Sequence, residues 1–276
     1  MNIREAHAAG QKSGEFVTEI EKQSEFGALS VLILAGGLGS RLKKAVWDRP
    51  KPMADINGRP FLDMIIEHAS GCGLGRFVLC TGHMGDLIRT YYAATGWSSR
   101  IAYSQESRLL GTAGAVKNAE PLIESDPFIV MNGDSLCPVD LHEFYRFHRE
   151  RAGEISMVVT RMKRAGDYGT LRVNKAGRVE GFEEKTGKGT YVNAGIYCMG
   201  KEILSTIPAG TACSLERDVF PALVYRRFYA FVTSTGFTDI GTPGRYREAK
   251  RRFTPPVRRK EPCPLAICRQ KIKRVG

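Results

Sequence analysis

No apolar run in the sequence approaches the ~20 residues that a membrane-spanning helix needs. The first 25 residues are polar and lack the apolar segment of a secretory signal, so they read as a loosely held extension. Seven cysteines are scattered without a Cys-x-x-Cys pair or a metal-ligand spacing, which argues against a zinc site and a disulfide framework. Cys72, Cys80 and Cys198 lie among apolar neighbours and read as reduced core thiols, an expectation that points to the cytoplasm. There is no internal repeat, and no hexapeptide β-helix in particular. Two glycine motifs are missing as well. No Gly-Lys-Ser/Thr closes a P-loop, and Leu42 stands where the dinucleotide fingerprint needs its third glycine.

The chain has 276 residues, 42% of them hydrophobic, enough for one substantial domain or two small ones. Its formal net charge of +12 raises the possibility of a nucleic-acid partner. The distribution argues otherwise: residues 254–276 carry seven Lys/Arg against one Glu, a net +6, in a proline-containing stretch without periodicity. That is a solvated basic tail, and neither nucleic acid nor membrane is expected as a partner. The milder positive balance of the remainder suits a substrate bearing several phosphates. The expected organisation is a polar extension over 1–27, one domain over 28–252 and the basic tail over 253–276; the sequence leaves the oligomeric state open.

Val31–Ala35 is a short apolar run suited to a buried parallel strand. Phe61–Gly71 places Phe61, Leu62, Ile65, Ile66 and Ala69 on one helical face. Arg76–Thr81 reads as a strand, Met84–Ala94 as a helix, Arg100–Ser104 as a strand, and Gly111–Ala115 opens a helix with Thr112 as N-cap. Pro127–Met131 is a further strand, followed by a helix capped by Asp140 with Glu143 three residues on. His148 falls on that helix's apolar stripe and reads as a core or half-buried histidine; His83 is read the same way. Ile155–Arg161, Gly169–Val173, Arg178–Phe182, Tyr191–Met199 and Phe228–Val232 are strand-like. Helices start at Ser214 and at Thr242-Pro243. The alternation predicts an α/β, Rossmann-like fold: a mixed, largely parallel sheet flanked by helices.

The strand Val31–Ala35 breaks into Gly36, Gly37 and Gly39, then Ser40 and Arg41, with Lys51 held between Pro50 and Pro52. Converging backbone N–H groups followed by two cations form a phosphate-binding arrangement. Gly-x-Gly-x-Arg with Pro-Lys-Pro resembles the signature of sugar nucleotidyltransferases. Within them, Asp48–Met53 and Asn193-Ala194-Gly195 resemble the guanylyltransferases that activate a heptose 1-phosphate. The likeness runs from about Ala28 to Arg252. It departs from the usual pattern at Ser40, at Trp47, which could narrow the loop mouth or lie against it, and at Ser107–Leu110.

Asn132-Gly133-Asp134 follows a strand, and Asp239 precedes a helix start; two such carboxylates can share one hard cation with phosphate oxygens. Each segment is also an ordinary turn or helix-start sequence when taken singly. The resemblance implies that Asp134 and Asp239 hold Mg²⁺. Leu34, Ala35, Gly36, Gly37, Gly39 and Ser40 are expected at the nucleotide, with Glu106, Gly111 and Thr112 near the base. Ionised Glu106 could accept from both donors of guanine's Watson–Crick edge, and it could equally be an exposed charge. Gly111 is expected to let the backbone approach the ring, and Gly169 to permit close packing on the sugar. The resemblance assigns Glu184 and Asn193 to sugar hydroxyls and Lys185 to the anomeric phosphate.

The implied reaction joins a nucleoside triphosphate, GTP by this reading, to a sugar 1-phosphate and releases pyrophosphate. A sugar-phosphate oxygen is already ionised near pH 7, since the second phosphate pKa is ~6. It needs no general base, and no covalent enzyme intermediate is required. Arg41 is expected on the departing phosphates, and Lys51 and Lys185 on the two reacting phosphates. Mannose or glucose 1-phosphate as substrate, with GTP, CTP or UTP, and a non-catalytic sugar-nucleotide-binding regulatory protein are the alternatives.

Overall fold

The computed structural model describes residues 24–162, 168–183 and 191–253. Residues 1–23, most of the expected extension, and 254–276, nearly all of the basic tail, lie outside them.

The chain forms strands β1 (Ser30–Leu34), β2 (Asp55–Ile56), β3 (Arg59–Pro60), β4 (Arg76–Thr81), β5 (Ile101–Gln105), β6 (Phe128–Asn132) and β7 (Ser135–Leu136). There follow β8 (Ile155–Arg161), β9 (Thr170–Val173), β10 (Val179–Glu183), β11 (Tyr191–Met199), β12 (Phe228–Thr233) and β13 (Thr238–Asp239). The main sheet runs β10-β9-β11-β6-β1-β4-β5, with β8 also on β11 and β12 on β8. β6, β1, β4 and β5 are mutually parallel, as are β8 and β12, while β11 is antiparallel to β6, β8 and β9. The sheet is thus mixed, with a parallel centre, as expected.

Side-chain alternation along these strands creates two apolar layers. Val31, Ile33, Phe77, Leu79, Ile129 and Met131 face one, and Leu32, Val78, Cys80, Phe128 and Val130 the other. Both faces are covered, which is why the parallel strands are apolar throughout rather than alternating. The helices Phe61–Gly71, Gly85–Ala93, Leu141–Glu150 and Pro243–Arg252 bury residues in the first layer; Gly111–Asn118 and the Leu215–Ala222 turns do so in the second.

Several local expectations are met by their caps. Asp140 accepts from His142 N and Glu143 N, Ser214 from Arg217 N, and Thr242 from Arg245 N. Three differ. Thr112 does not cap its helix, which begins one residue earlier at Gly111 without a side-chain cap. His83 is exposed rather than half-buried, because the chain turns outward after β4. Trp47 is 76% exposed and projects into solvent instead of narrowing the loop mouth. Cys80, Cys137 and Cys198 are buried free thiols, and Cys72 is half-buried.

His148 is only 3% exposed, and its Nδ1 sits 2.9 Å from Ser156 Oγ. Burial, with Arg149 nearby, lowers its pKa from 6.5 to about 4. The folded protein therefore keeps it neutral where the unfolded chain protonates it. Its contribution is fully present above pH ~6.5 and is lost as pH falls toward 4. We predict that His148 removes on the order of 3 kcal/mol of stability over that interval. His148→Gln should flatten the slope of unfolding free energy against pH measured in urea; an unchanged slope would refute this.

Candidate active site

Two adjoining clefts open at the carboxyl ends of β1 and β6, where open α/β sheets bind ligands. The first, about 450 Å³, is lined by Leu34–Arg41, Glu106, Leu109, Gly111 and Thr112. The second, about 330 Å³, is lined by Tyr168, Gly169, Asn193, Glu216, Asp239 and Arg245 among others. Arg41, Lys51, Asn132, Asp134 and Gly241 border both. The junction thus gathers two cations from one segment and a carboxylate from another, Lys51 and Asp134 lying 83 positions apart.

The glycine loop is held by its backbone. Ala35 N donates to Cys80 O at 2.8 Å, and Leu34 O accepts from Gly133 N at 2.9 Å. A Cβ on Gly133 would lie 2.5 Å from Leu34 O, so only glycine lets β6 run this close beside β1 and deliver Asp134 to the junction. Gly39, at φ +59°, makes room for Lys51, whose Cβ would be 3.1 Å from any Cβ added there. Ahead of Lys51, Arg49 forms a two-pronged pair with Asp48, at 3.0 and 2.6 Å, that shapes the approach to Pro50.

Lys51 Nζ donates to Asp134 Oδ2. Asp239 is brought alongside by the antiparallel pairing of β13 with β7, in which Asp239 faces Ser135 and Ile240 N donates to Asp134 O at 3.0 Å. Asp239 accepts from Gly241 N at 2.8 Å, from Arg245 Nη1 at 3.3 Å and from the Tyr168 hydroxyl. The Arg245 guanidinium also stacks 3.9 Å from the centre of the Tyr168 ring. Burial, reinforced by Asp239, pushes the Tyr168 phenol up, which keeps it a donor. A Cβ on Gly241 would meet Asp239 Oδ1 at 2.7 Å and Lys51 Nζ at 3.7 Å, so Asp239 and Lys51 border one small space, and Asp134 is paired with that same Lys51.

The donor set suits a hard cation. Among the described residues no cluster of three or more His, Cys, Asp or Glu could hold a metal. The protein would therefore offer two carboxylates and leave the remaining positions to ligand oxygens and water, the usual manner of Mg²⁺. The Lys51 ammonium on Asp134 already shows that this carboxylate accepts a positive charge from the cleft side.

Glu106 is wedged between the glycine loop and Gly82. Added Cβ atoms at Gly36 and Gly82 would lie 2.7 and 2.4 Å from its Oε1. Its Oε2 accepts from Leu110 N at 3.2 Å, while burial raises its pKa. Gly111, at φ +70°, is required for a different reason from the one expected: a Cβ would strike Cys213 O at 2.5 Å, so its closest approach is to protein backbone. Thr112 Oγ1 donates to Glu216 Oε2 at 2.8 Å and accepts from Leu215 N at 2.8 Å. This ties a wall residue of the first cleft to one of the second.

Asn193 uses both ends of its amide within β11: Nδ2 donates to the Tyr197 hydroxyl at 2.7 Å, and Oδ1 accepts from Gly195 N at 2.8 Å. Gly169 lines the second cleft with open space where a Cβ would stand. Glu184 and Lys185 lie outside the described residues. Sequence reasoning missed Asn132, Tyr168, Glu216 and Arg245 as cleft residues. Arg245, three residues after the Thr242 cap, was the most findable, since a first-turn side chain points back toward the preceding loop.

The Nucleotidyl transferase family profile matches residues 30–254. A D-glycero-alpha-D-manno-heptose 1-phosphate guanylyltransferase of Aneurinibacillus thermoaerophilus is 33% identical over 226 residues, covering 81% of this chain and 97% of that one. A mannose-1-phosphate guanylyltransferase of Mycobacterium tuberculosis is 29% identical, covering 78% of this chain and 62% of that one. The crystal structure of HddC from Yersinia pseudotuberculosis complexed with GMP-PN superposes with a TM-score of 0.74 at 34% identity, over 82% of this chain and all of that one.

The packing at Gly111 gives a direct test. Gly111→Ala should destabilise the fold by roughly 1–3 kcal/mol, through left-handed strain and the clash with Cys213. Urea unfolding would show a lower midpoint; an unchanged midpoint would contradict the packing.

Proposed function

The chain belongs to the nucleotidyl transferase family, and from that membership we propose that it transfers GMP from GTP to a heptose 1-phosphate of manno configuration, releasing pyrophosphate. The observation that carries this reading is the junction itself. Arg41, Lys51 and Asp134 border both clefts, with Asp239 beside them, so two phosphorylated ligands entering from opposite sides would meet over fixed charges. The relatives support the choice of substrates: heptose and mannose 1-phosphate guanylyltransferases at 33% and 29% identity, and a superposable structure holding GMP-PN.

In this reading the first cleft takes the nucleotide. Backbone N–H groups of Gly36, Gly37 and Gly39 face the phosphates, with Leu34, Ala35 and Ser40 beside them, and Glu106 accepts from the guanine edge while Gly111 and Thr112 form the floor. The second cleft takes the sugar, with Gly169 and Asn193 at its wall; the family resemblance assigns Glu184 to the sugar hydroxyls. The ionised sugar-phosphate oxygen attacks the α-phosphorus in line, and the bond to pyrophosphate breaks. Arg41 neutralises charge gathering on the leaving phosphates. Lys51 steadies the transferring group, and Lys185 the attacking phosphate. The Asp134 and Asp239 carboxylates would hold a Mg²⁺ whose charge, when bound, offsets that of the phosphates. Catalysis then consists of positioning and electrostatic stabilisation, with no proton to abstract.

Pyrophosphate release measured across GTP, CTP and UTP with heptose, mannose and glucose 1-phosphates should be greatest for GTP with the heptose. Tight nucleotide binding without turnover of any pair would favour a regulatory binding protein. Lys51→Ala and Asp134→Asn should each lower kcat/KM by on the order of 10²–10³-fold with the thermal transition retained. Near-normal turnover of folded Asp134→Asn would remove the metal assignment, as would full activity in excess EDTA.

A further inference from the structure

Arg245 stands at the third position of the helix Pro243–Arg252, after the Thr242 cap, and its side chain lines the second cleft, where it is 21% exposed. A cation is out of place there. The first turn holds no acidic residue, although that position favours a carboxylate, which would reach back to the cap and meet the positive end of the helix. What keeps an arginine here therefore lies beyond the helix. Asp239 is one partner, through Nη1 at 3.3 Å, but that carboxylate also accepts from Gly241 N and from the Tyr168 hydroxyl. Tyr168 is another, its ring stacked on the guanidinium. Stacking engages the flat face of the guanidinium and not the five N–H groups at its edge, so holding Asp239 is compatible with binding a second anion. Lys51 lies close by. Arg245 Nη1 and Lys51 Nζ stand 3.6 and 3.7 Å from the position that a Cβ on Gly241 would take, which puts the two cations near enough to share one phosphate group.

We infer that Arg245, together with Lys51, binds the phosphate of the sugar 1-phosphate on the sugar side of the junction; this rests on the substrate reading given above. Arg41 and Lys51 border both clefts, whereas Arg245 lines the second alone. The charge it meets is therefore the one carried by the ligand of that cleft. A heptose 1-phosphate has its formal charge on the phosphate only, which is mostly a dianion near pH 7 because its second pKa is ~6. Hydroxyls are neutral and call for no cation, while a planar fork of donors matches phosphate oxygens. The placement also answers the repulsion between two polyanions brought face to face. A cation confined to the second cleft offsets the attacking phosphate without gripping the departing ones, so it favours assembly of the pair over retention of the nucleotide. Arg245 is accordingly a substrate-binding residue, and Tyr168 and Asp239 hold its guanidinium in place.

The test measures kcat and the KM of each substrate with GTP and D-glycero-α-D-manno-heptose 1-phosphate, and repeats it with mannose 1-phosphate. Arg245→Gln should raise KM for the sugar 1-phosphate by about 10–100-fold, the loss of a charge-assisted contact. KM for GTP and the Mg²⁺ concentration giving half-maximal rate should stay within about twofold. The change in kcat should be smaller than that in the sugar KM, because the contact exists before transfer as well as during it. Arg245→Lys keeps the charge and loses the fork; it should raise the sugar KM by about 3–10-fold, and it decides the matter should the Gln variant lack a cooperative thermal transition. A residue that merely steadies Asp239 behaves differently, raising the Mg²⁺ requirement and lowering kcat with the sugar KM little changed. That pattern, an unchanged sugar KM in the folded variants, or a rise shared equally with GTP would overturn the inference while leaving the transferase reading intact. Absence of turnover by wild-type protein with every sugar 1-phosphate would instead overturn the reading beneath it, and the inference with it.

Discussion

The charge pattern of the cleft depends on a hydrogen bond between two very short strands. Ile240 N to Asp134 O at 3.0 Å, with the β7–β13 pairing around it, brings together acidic residues more than a hundred positions apart. Neither strand belongs to the main sheet. Each carboxylate is then held by a separate cation, Asp134 by Lys51 and Asp239 by Arg245. Two like charges side by side are tolerable only because each has its own partner.

Glycine does more here than loosen a loop. Gly133 lets β6 pass close to β1, Gly39 admits the stem of Lys51, and Gly36 with Gly82 leaves the slot that Glu106 fills. At Gly39 and at Gly36 with Gly82 the clearance serves a side chain, Lys51 or Glu106, that itself lines a cleft. The signature glycines therefore act in part indirectly, by seating the charged side chains that would touch a ligand.

Much of this was legible in the sequence because it is local. Strand and helix positions followed from apolar periodicity, and three caps from a Ser, Thr or Asp at a helix start. A shared role for Asp134 and Asp239 was implied by the family resemblance, while the β7–β13 pairing that brings them together lies outside the main sheet. What escaped depends on distant partners. Thr112 looks like an N-cap, yet its hydroxyl is taken by Glu216 and Leu215, about a hundred residues on. Gly111 looks like a ligand contact, yet Cys213 fixes its identity. Asn132 reads in the sequence only as part of the turn before Asp134, yet it lines both clefts. Glu184 and Lys185 rest on resemblance alone.

The Lys51–Asp134 ion pair has a consequence for what can enter. An arriving polyanion that takes Lys51 strips Asp134 of its partner and leaves a bare carboxylate facing it. A ligand that brings its own compensating charge restores both pairs at once. On this arrangement, charge balance at the cleft favours a polyanion that arrives with a cation over a bare one.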